Sequence, residues 1–324
     1  MFDASCVCIQ SVLIVPMLAA ERTPKMNVLS SRSLVQLPCG QVGVRELGSG
    51  RPVVLLHGLV ANGLVWRHVA AGLAGQFGGQ IRCIAPDLAL GSHTPAVPGA
   101  DLTLPGLART VVDLLDALGI EQAVLIGNGY GGDIAQVVAA CHPQRVESLV
   151  LVATNAFDSD PWPVKVLARL TSLPGAGLLQ SKIIGLKPLQ RLRITYGGAT
   201  KRPIPADIMA EYLRPLRSDP LVRNDFRRFL GELSPAYLAE YSPRLAEYDR
   251  PALVVWPREE RYFPAQGARR LAETLPRATL EYVDDSYAWV PEDNPAPLVA
   301  LLGEFLGFAQ PAADSGQPCS TTLD

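Results

Sequence analysis

The 324-residue sequence predicts an α/β fold, with a doubly wound, mostly parallel sheet and a helical cap insertion. The first observation is that short continuous apolar runs, typical of strands buried on both faces, alternate with amphipathic helical stretches. The second is that this alternation stops at Thr154 and resumes at Pro251. The residues between these two positions have helical patterns rich in arginine and proline, without a strong strand, and they predict the cap.

The elements before the interruption follow from periodicity and from the residues that end them. Leu34 to Leu47 alternates apolar and polar residues around Gly40, which predicts an antiparallel hairpin. Thr103 to Leu118 carries an apolar stripe at helical spacing, and Gly119 ends it. The same reasoning predicts buried strands at Pro52–Leu56, Ile81–Ala85, Ala123–Ile126 and Val146–Val152, and helices at Trp66–Leu73 and Asp133–Ala140.

The second half of the chain gives the organisation into segments. Helical patterns lie within the cap at Val164–Leu170, Pro205–Leu216 and Leu221–Leu233, and the core resumes with strands Ala252–Trp256 and Ala278–Val283 and helices Gln266–Leu275 and Pro295–Phe308. The predicted segments are an N-terminal extension (1–33), a first core part (34–154), the cap (155–248), a second core part (249–308) and a disordered tail (309–324), which is small and polar.

Composition excludes several classes of protein. The net charge of −2 offers no attraction to nucleic acid or to an anionic membrane, so we expect neither as a partner. The six cysteines and four histidines have no metal-binding spacing, so we expect no metal and no cofactor. The apolar run Ser11–Ala20 contains Pro16, is too short to cross a bilayer and follows no basic residue, so it is a poor signal peptide. Scattered thiols in a long chain favour a cytoplasmic location.

One stretch, Val124–Gln136, organises the chain. An apolar strand leads into the glycine-crowded turn Gly127–Gly132, and a helical pattern follows. A strand, a sharp turn and a helix form the geometry of a nucleophile elbow, which usually reads G-x-nucleophile-x-G. The nucleophile position of this elbow holds Gly129, which has no side chain that can attack a substrate.

The ordered motifs resemble those of the α/β-hydrolase superfamily. Five markers agree in order over about Leu34 to Phe308. They are Leu56-His57-Gly58, Pro86-Asp87-Leu88, the elbow, Val254-Val255-Trp256 and Val290-Pro291-Glu292-Asp293. The chain looks most similar to a bacterial group whose elbow reads G-N-D-T-G-G, through its stretches His57–Trp66 and Pro86–His93.

This resemblance implies a catalytic nucleophile, an acid and a histidine, in that order along the chain. Their positions fall on Gly129, Glu260 and Ala288, so two of the three residues are replaced. No histidine follows His142, so a relay in the family's order is impossible. A halide-cleaving variant is also disfavoured because it needs an aspartate at the elbow. The resemblance therefore predicts a hydrolase fold with a degenerate catalytic triad.

The remaining candidates each have two interpretations. The backbone N–H groups of Leu59 and Tyr130 stand where the family builds its oxyanion hole, and they bind either a carbonyl or enolate oxygen or water. Glu260 is either a general base with a raised pKa or the ion-pair partner of Arg258 or Arg261. The Tyr130 side chain either donates a proton or forms part of the wall. The residues expected to line the pocket are Gly129, Trp66, Tyr287 and Trp289.

Three functions compete on these grounds, all with a small, largely apolar molecule as partner. The favoured one is a non-hydrolytic enzyme that guides cyclisation, isomerisation or elimination, as proteins of this fold do in natural-product pathways. The second is a non-catalytic, ligand-binding pseudoenzyme, in which Glu260→Gln or Tyr130→Phe would change no reaction. The third is a hydrolase in which Glu260 activates a water molecule.

Overall fold

A computed structural model describes residues 29, 31–157, 161–171, 182–183, 185–234 and 236–307. The described strands are β1 (Arg32–Leu37), β2 (Gly40–Gly48), β3 (Arg51–Leu56), β4 (Ile81–Pro86), β5 (Ala123–Asn128), β6 (Val146–Val152), β7 (Ala252–Pro257) and β8 (Ala278–Val283). The described α-helices are α1 (Arg67–Phe77), α2 (Leu104–Ala117), α3 (Tyr130–Cys141), α4 (Trp162–Thr171), α5 (Lys187–Gln190), α6 (Tyr196–Ala199), α7 (Ala206–Ser218), α8 (Pro220–Glu232), α9 (Ala236–Leu245), α10 (Ala265–Thr274), α11 (Val290–Asp293) and α12 (Pro295–Phe305).

All eight strands belong to one sheet, in the order β1-β2-β4-β3-β5-β6-β7-β8. The hairpin strand β2 runs antiparallel to both β1 and β4, and the strands from β4 to β8 pair in parallel. This arrangement confirms the predicted fold class. The carboxyl ends of β3, β5, β6, β7 and β8 meet at one edge, which is where open α/β sheets place their ligands.

Burial explains why the central strands read as continuous apolar runs. Every residue of β5 and of β7 is buried, because helices or loops cover both faces of the sheet there. The hairpin strand β1 differs, since most of its residues are partly or fully exposed. Alternating apolar and polar residues are expected in a strand at the edge of a sheet, and the hairpin was predicted from this alternation.

The described residues between β6 and β7 contain the helices α4 to α9, which we call the cap. Three of these helices match predicted segments, whereas α9 was not predicted. Its pattern is interrupted by Pro243, which lies inside the helix. Helix α12 ends at Phe305, earlier than predicted, and β1 begins at Arg32, inside the predicted N-terminal extension. The tail 309–324 and the run Ser11–Ala20 lie outside the described residues.

Buried polar contacts fix the cap to the loop that follows β4. Asp225 of α8 is fully buried, accepts a hydrogen bond from the backbone N–H of Val97 at 2.7 Å, and lies 3.3 Å from Nε2 of His93. The hydroxyl of Ser92 donates to the carbonyl oxygen of Tyr212 in α7 at 2.7 Å. These bonds hold the cap over the carboxyl edge of the sheet.

Candidate active site

The elbow turns at Gly129, between β5 and α3. Gly129 has φ 57° and ψ −127°, a conformation that favours glycine because a Cβ atom would be strained there. Its N–H donates to the carbonyl oxygen of Ala153 at 3.0 Å, and its own carbonyl accepts from the N–H of Gly132 at 2.8 Å. A Cβ atom built on Gly129 would approach the Cα atom of Gly58 at 3.7 Å, an ordinary van der Waals contact. Position 129 therefore has space for a side chain, although its backbone conformation disfavours residues other than glycine.

The loop after β8 lies directly against this turn. The side-chain amide of Asn128 donates to the carbonyl oxygen of Ala288 at 2.7 Å and to that of Val152 at 2.9 Å. These two bonds tie the end of β5 to the loop that carries Ala288. Gly129 and Ala288, the positions matched to a nucleophile and a histidine, line the same cavity.

Glu260 lies in the loop after β7, with its two carboxylate oxygens in different surroundings. Oε1 accepts hydrogen bonds from the backbone N–H groups of Tyr262 at 2.6 Å and Phe263 at 3.1 Å. The residue as a whole is partly exposed, yet its Oε2 atom is buried and has no hydrogen-bond partner in the described part of the chain. Burial raises the pKa of the Glu260 carboxyl to about 7, and the backbone hydrogen bonds and the charge of Arg261 oppose this shift.

The alternative role of Glu260, as an ion-pair partner of a neighbouring arginine, is wrong. The Nε of Arg258 lies 3.2 Å from Oδ1 of Asp284. The guanidinium of Arg261 stacks on the Tyr287 ring, 3.6 Å from its centroid, and also donates to the Tyr287 hydroxyl. Neither arginine therefore forms an ion pair with Glu260, and Oε2 of Glu260 has no hydrogen-bond partner in the described part of the chain.

A cavity of about 320 Å³ lies between the elbow and the cap. Its wall is largely aliphatic, and among the described residues no charged side chain lines it. Two tyrosine hydroxyls in the wall are already bonded: Tyr196 donates to the carbonyl oxygen of Val60 at 2.8 Å, and Tyr262 to that of Arg193 at 2.6 Å. Such a wall suits a small and mostly apolar ligand.

Several residues predicted for the site come together at this cavity. Leu59, Tyr130 and Trp289 line it together with Gly129 and Ala288. Glu260 does not line it and lies in an adjoining depression. The side chains that border both spaces are those of Tyr262 and Phe263.

The prediction that Trp66 and Tyr287 line the pocket is wrong. Trp66 ends a 3₁₀ helix that begins at Gly63, and its ring is fully buried in the core. Tyr287 points away from the cavity, with its ring beneath the Arg261 guanidinium and its backbone N–H bonded to Asp293 at 3.0 Å. Tyr287 directly precedes the cavity-lining Ala288, and Trp66 follows the cavity-lining Val60 by six positions, but the sequence does not specify which way their side chains point.

Sequence reasoning also missed part of the wall. Tyr262 and Phe263 lie two and three residues after Glu260, so their closeness to the acid position in the sequence was a usable signal. Tyr196 lies in a short helix without a recognisable pattern, and no sequence signal assigned it to the site. The inner face of α4 contributes Val164 and Leu167.

Two polar residues beside the site have structural roles. The buried His57 accepts a hydrogen bond at Nε2 from the N–H of Leu88 at 2.8 Å, so its Nδ1 carries the proton and donates to the carbonyl oxygen of Gly58 at 2.8 Å. Burial lowers the pKa of His57, which keeps the ring neutral. Asp133 of α3 accepts hydrogen bonds from the side chain and the backbone N–H of Asn155, at 2.6 and 3.1 Å. These contacts fix the loop before Leu59 and the start of α3.

Comparison with known proteins agrees with this geometry. A family model described as alpha/beta hydrolase fold matches residues 51–176. Over 207 residues the chain is 30% identical to a 2-hydroxy-6-oxononadienedioate/2-hydroxy-6-oxononatrienedioate hydrolase of Paraburkholderia phymatum, covering 62% of this chain and 67% of the relative. It is 28% identical over 285 residues to a 2-hydroxymuconate semialdehyde hydrolase of Pseudomonas sp. (strain CF600), covering 85% and 93%.

Structural comparison gives the same fold. The crystal structure of an alpha/beta hydrolase fold protein from Burkholderia ambifaria superposes with a TM-score of 0.70 at 23% identity, covering 85% of this chain and 97% of the other.

These comparisons correct the favoured functional prediction. Both sequence relatives are named hydrolases, which contradicts the prediction of a non-hydrolytic cyclase, isomerase or lyase in a natural-product pathway. The same names oppose a non-catalytic pseudoenzyme. The replacement of the nucleophile and the histidine excludes the family's covalent relay, but it does not exclude hydrolysis by a water molecule. Of the three competing functions, a hydrolase that uses water activated by Glu260 agrees best with the relatives.

Proposed function

We propose, from the premise that the chain belongs to the α/β-hydrolase superfamily, that it hydrolyses a small, largely apolar substrate with water activated by Glu260. The observation that carries this proposal is the buried, unpartnered Oε2 atom of Glu260 and the pKa of about 7 of its carboxyl group. A general base is most effective when its pKa lies near the working pH, because it is then both deprotonated and able to hold a proton.

In the proposed reaction, a water molecule occupies the space beside Gly129, which has no side chain, and the methyl group of Ala288. Its oxygen attacks the carbonyl carbon of the substrate. Because Glu260 lies in the adjoining depression, the proton passes to its Oε2 atom through a second water molecule beside Tyr262 and Phe263, which border both spaces. The carbonyl π-electrons move to the oxygen, which accepts hydrogen bonds from the backbone N–H groups of Leu59 and Tyr130. Tyr130 is the first residue of α3, so its N–H lies at the positive end of a helix. Glu260 then returns the proton to the leaving group as the tetrahedral intermediate collapses.

The cavity wall supports a neutral substrate. The name of one relative specifies a dioate, and two carboxylates would need cationic partners in a site of this size. No charged side chain lines the cavity among the described residues, so we propose an uncharged ester with aliphatic substituents, whose alcohol is the leaving group. Within the superfamily, the finer similarity to the group with the G-N-D-T-G-G elbow stays a prediction.

The direct test is Glu260→Gln, assayed against neutral 4-nitrophenyl esters, epoxides and haloalkanes. We expect kcat/KM of the best substrate to fall by about 10²–10⁴-fold, the usual contribution of a general base. In the native protein, kcat/KM should rise with pH and level off above about 7, because only the deprotonated carboxylate accepts the proton.

The matched control is Glu259→Gln, since Glu259 is the adjacent residue but is exposed and paired with Lys201 at 2.6 Å. It should leave kcat/KM unchanged. Tyr130→Phe keeps the backbone N–H and should also retain activity, unless the hydroxyl donates the proton. A native protein inactive on the whole panel, or a fully active Glu260→Gln variant, would refute the proposal. An acyl adduct in the intact-protein mass during turnover would refute direct attack by water.

A further inference from the structure

Residues 161–200 of the cap have an unusual charge. This segment contains six basic residues and no acidic residue, whereas the whole chain has 29 basic and 31 acidic residues. The basic residues are Lys165, Arg169, Lys182, Lys187, Arg191 and Arg193. The net charge of −2 therefore conceals a strongly basic segment.

The same segment carries most of the exposed large apolar side chains. Of the eight such side chains in the described part of the chain, six belong to it. Single exposed apolar residues are normal on protein surfaces, but a cluster marks an interaction site. The six residues are Trp162, Leu170, Ile183, Leu186, Leu192 and Ile194, with exposures from 39% to 54%.

Four of these six side chains lie at the mouth of the active-site cavity. Leu170, Ile183, Leu192 and Ile194 line the cavity and are also exposed, so they form its rim. We call the six apolar residues, together with the exposed Lys165, Lys182, Lys187 and Arg193, the mouth surface. The cavity opens onto this surface.

The charges of the mouth surface are available to a partner. Among the described residues, no acidic side chain forms an ion pair with Lys165, Lys182, Lys187 or Arg193. The neighbouring Lys201 differs, because it pairs with Glu259 and Asp285 at 2.6 and 3.0 Å. Within the part of the chain that the structure describes, these four exposed cations thus have no acidic ion-pair partner.

We propose that the mouth surface docks on an anionic lipid bilayer. Exposed lysine and arginine beside tryptophan, leucine and isoleucine is the composition that binds at the lipid headgroup region. A second copy of the chain fits this surface poorly, because two basic faces repel each other. Salt screens electrostatic attraction beyond about a Debye length, roughly 8 Å at physiological salt. An anionic bilayer therefore responds to the positive charge of the mouth surface next to it rather than to the net charge of the whole chain.

The docking is superficial and serves substrate entry. None of the described helices combines the length and apolar character needed to cross a bilayer. With the rim against the lipid, a neutral substrate dissolved in the bilayer reaches the apolar cavity without crossing water. This last step rests on the proposed hydrolase function, whereas the docking itself does not require catalysis.

Trp162 provides an intrinsic probe of docking. The chain has four tryptophans, and Trp66, Trp256 and Trp289 are at most 7% exposed, against 49% for Trp162. The full-length protein is mixed with vesicles of phosphatidylcholine alone or of phosphatidylcholine with phosphatidylglycerol. We expect co-sedimentation and a blue-shifted, bromolipid-quenched emission with the anionic vesicles only. Both signals should decline as NaCl rises from 20 to 500 mM, and Trp162→Phe should remove the emission change.

The charge test compares two double variants with the same total change. Lys182→Glu with Lys187→Glu alters the mouth surface, and Arg227→Glu with Arg277→Glu alters exposed sites elsewhere. The first pair should weaken partitioning into anionic vesicles by at least about 25-fold, because each basic residue near such a surface contributes about 5-fold. The second pair should change it by less than about 3-fold.

Three results would overturn the docking proposal: no binding to anionic vesicles, equal loss in both double variants, or a concentration-dependent blue shift of Trp162 without lipid. The last result would assign the mouth surface to a second copy of the chain. Hydrolysis of water-soluble esters is measured in parallel. Active protein that does not bind vesicles rejects the docking alone, and inactive protein that binds them rejects the hydrolase function alone.

Discussion

The floor and the roof of the cavity are built differently. The floor consists of Gly58, Gly129, Ala288 and their neighbours at the carboxyl edge of the sheet, and hydrogen bonds between separate segments fix it, such as that from Asn128 to Ala288. The roof consists of α4 and residues 182–183 and 185–195, which contribute aliphatic side chains, several of them nearly half exposed. The floor is therefore part of the core of the fold, whereas the roof side chains line the cavity and are also exposed at the surface.

This difference separates two kinds of residue. A substitution in the floor changes the free energy of unfolding, because it disturbs the packing of the strands and α3. A substitution in the roof changes what binds, because most roof side chains bury little area against the core. Glu260 lies between the two, in a core loop whose neighbours Tyr262 and Phe263 reach the cavity.

The largest predicted effect on stability comes from a comparison of two glycines in the floor, Gly131 and Gly129. A Cβ atom on Gly131 would overlap the carbonyl oxygen of Leu56, so Gly131→Ala must push α3 away from β3. We expect it to lower the free energy of unfolding by about 4 kcal/mol. Gly129→Ala meets only the ordinary contact with Gly58 and should cost about 1–3 kcal/mol through backbone strain. Urea unfolding measures both variants.

Equal losses for the two alanine variants would contradict this view of the elbow. A larger loss for Gly129→Ala would mean that backbone strain, rather than contact between α3 and β3, limits substitution there.

The floor was also the part that the sequence predicted best. Continuous apolar runs locate β5 and β7 because both strands are buried on both faces, and the glycine-crowded turn fixes the elbow between β5 and α3. The order of the family motifs then brings the Gly129, Glu260 and Ala288 segments to one edge of the sheet. Each of these signals comes from a short stretch of sequence, and the fold allows few arrangements of the strands and helices that they predict.

The roof and the side-chain directions could not be predicted in the same way. Trp66 and Tyr287 neighbour the site in sequence, but packing turns one into the core and the other beneath Arg261. Tyr196 reaches the cavity through tertiary contacts of the cap, for which the sequence has no periodic signal. The function was mispredicted because a missing side chain at Gly129 excludes covalent catalysis but does not exclude catalysis through water.

The second prediction concerns Glu260, which lies between the floor and the roof. The pKa of Glu260 is raised from 4.5 to about 7 in the folded protein, so the folded state holds its proton more tightly than the unfolded state. This contribution to stability is complete below pH 4.5 and is lost as the pH rises to about 7, with a total of about 3 kcal/mol. Urea unfolding at pH 5 and pH 8 gives the difference.

The control is the same measurement on Glu260→Gln, which has no proton to lose. His57 acts in the opposite direction, because its pKa is lowered and the unfolded state binds its proton more tightly. Subtracting the profile of Glu260→Gln from that of the native protein isolates the effect of Glu260. A difference that does not change between pH 5 and pH 8 would mean that the carboxyl group is not desolvated.

The smallest predicted effect on stability is that of a substitution in the roof, Leu192→Ala. Leu192 lines the cavity but is 47% exposed, so Leu192→Ala should change the free energy of unfolding by less than about 0.5 kcal/mol. It should raise KM for a neutral ester several-fold and leave kcat nearly unchanged, because the lost contact binds ground state and transition state alike. Leu221→Ala is the matched control, since Leu221 is 53% exposed on α8 and does not line the cavity. If Leu192→Ala instead destabilises the fold by several kcal/mol, the roof is part of the core and the distinction between the two regions fails.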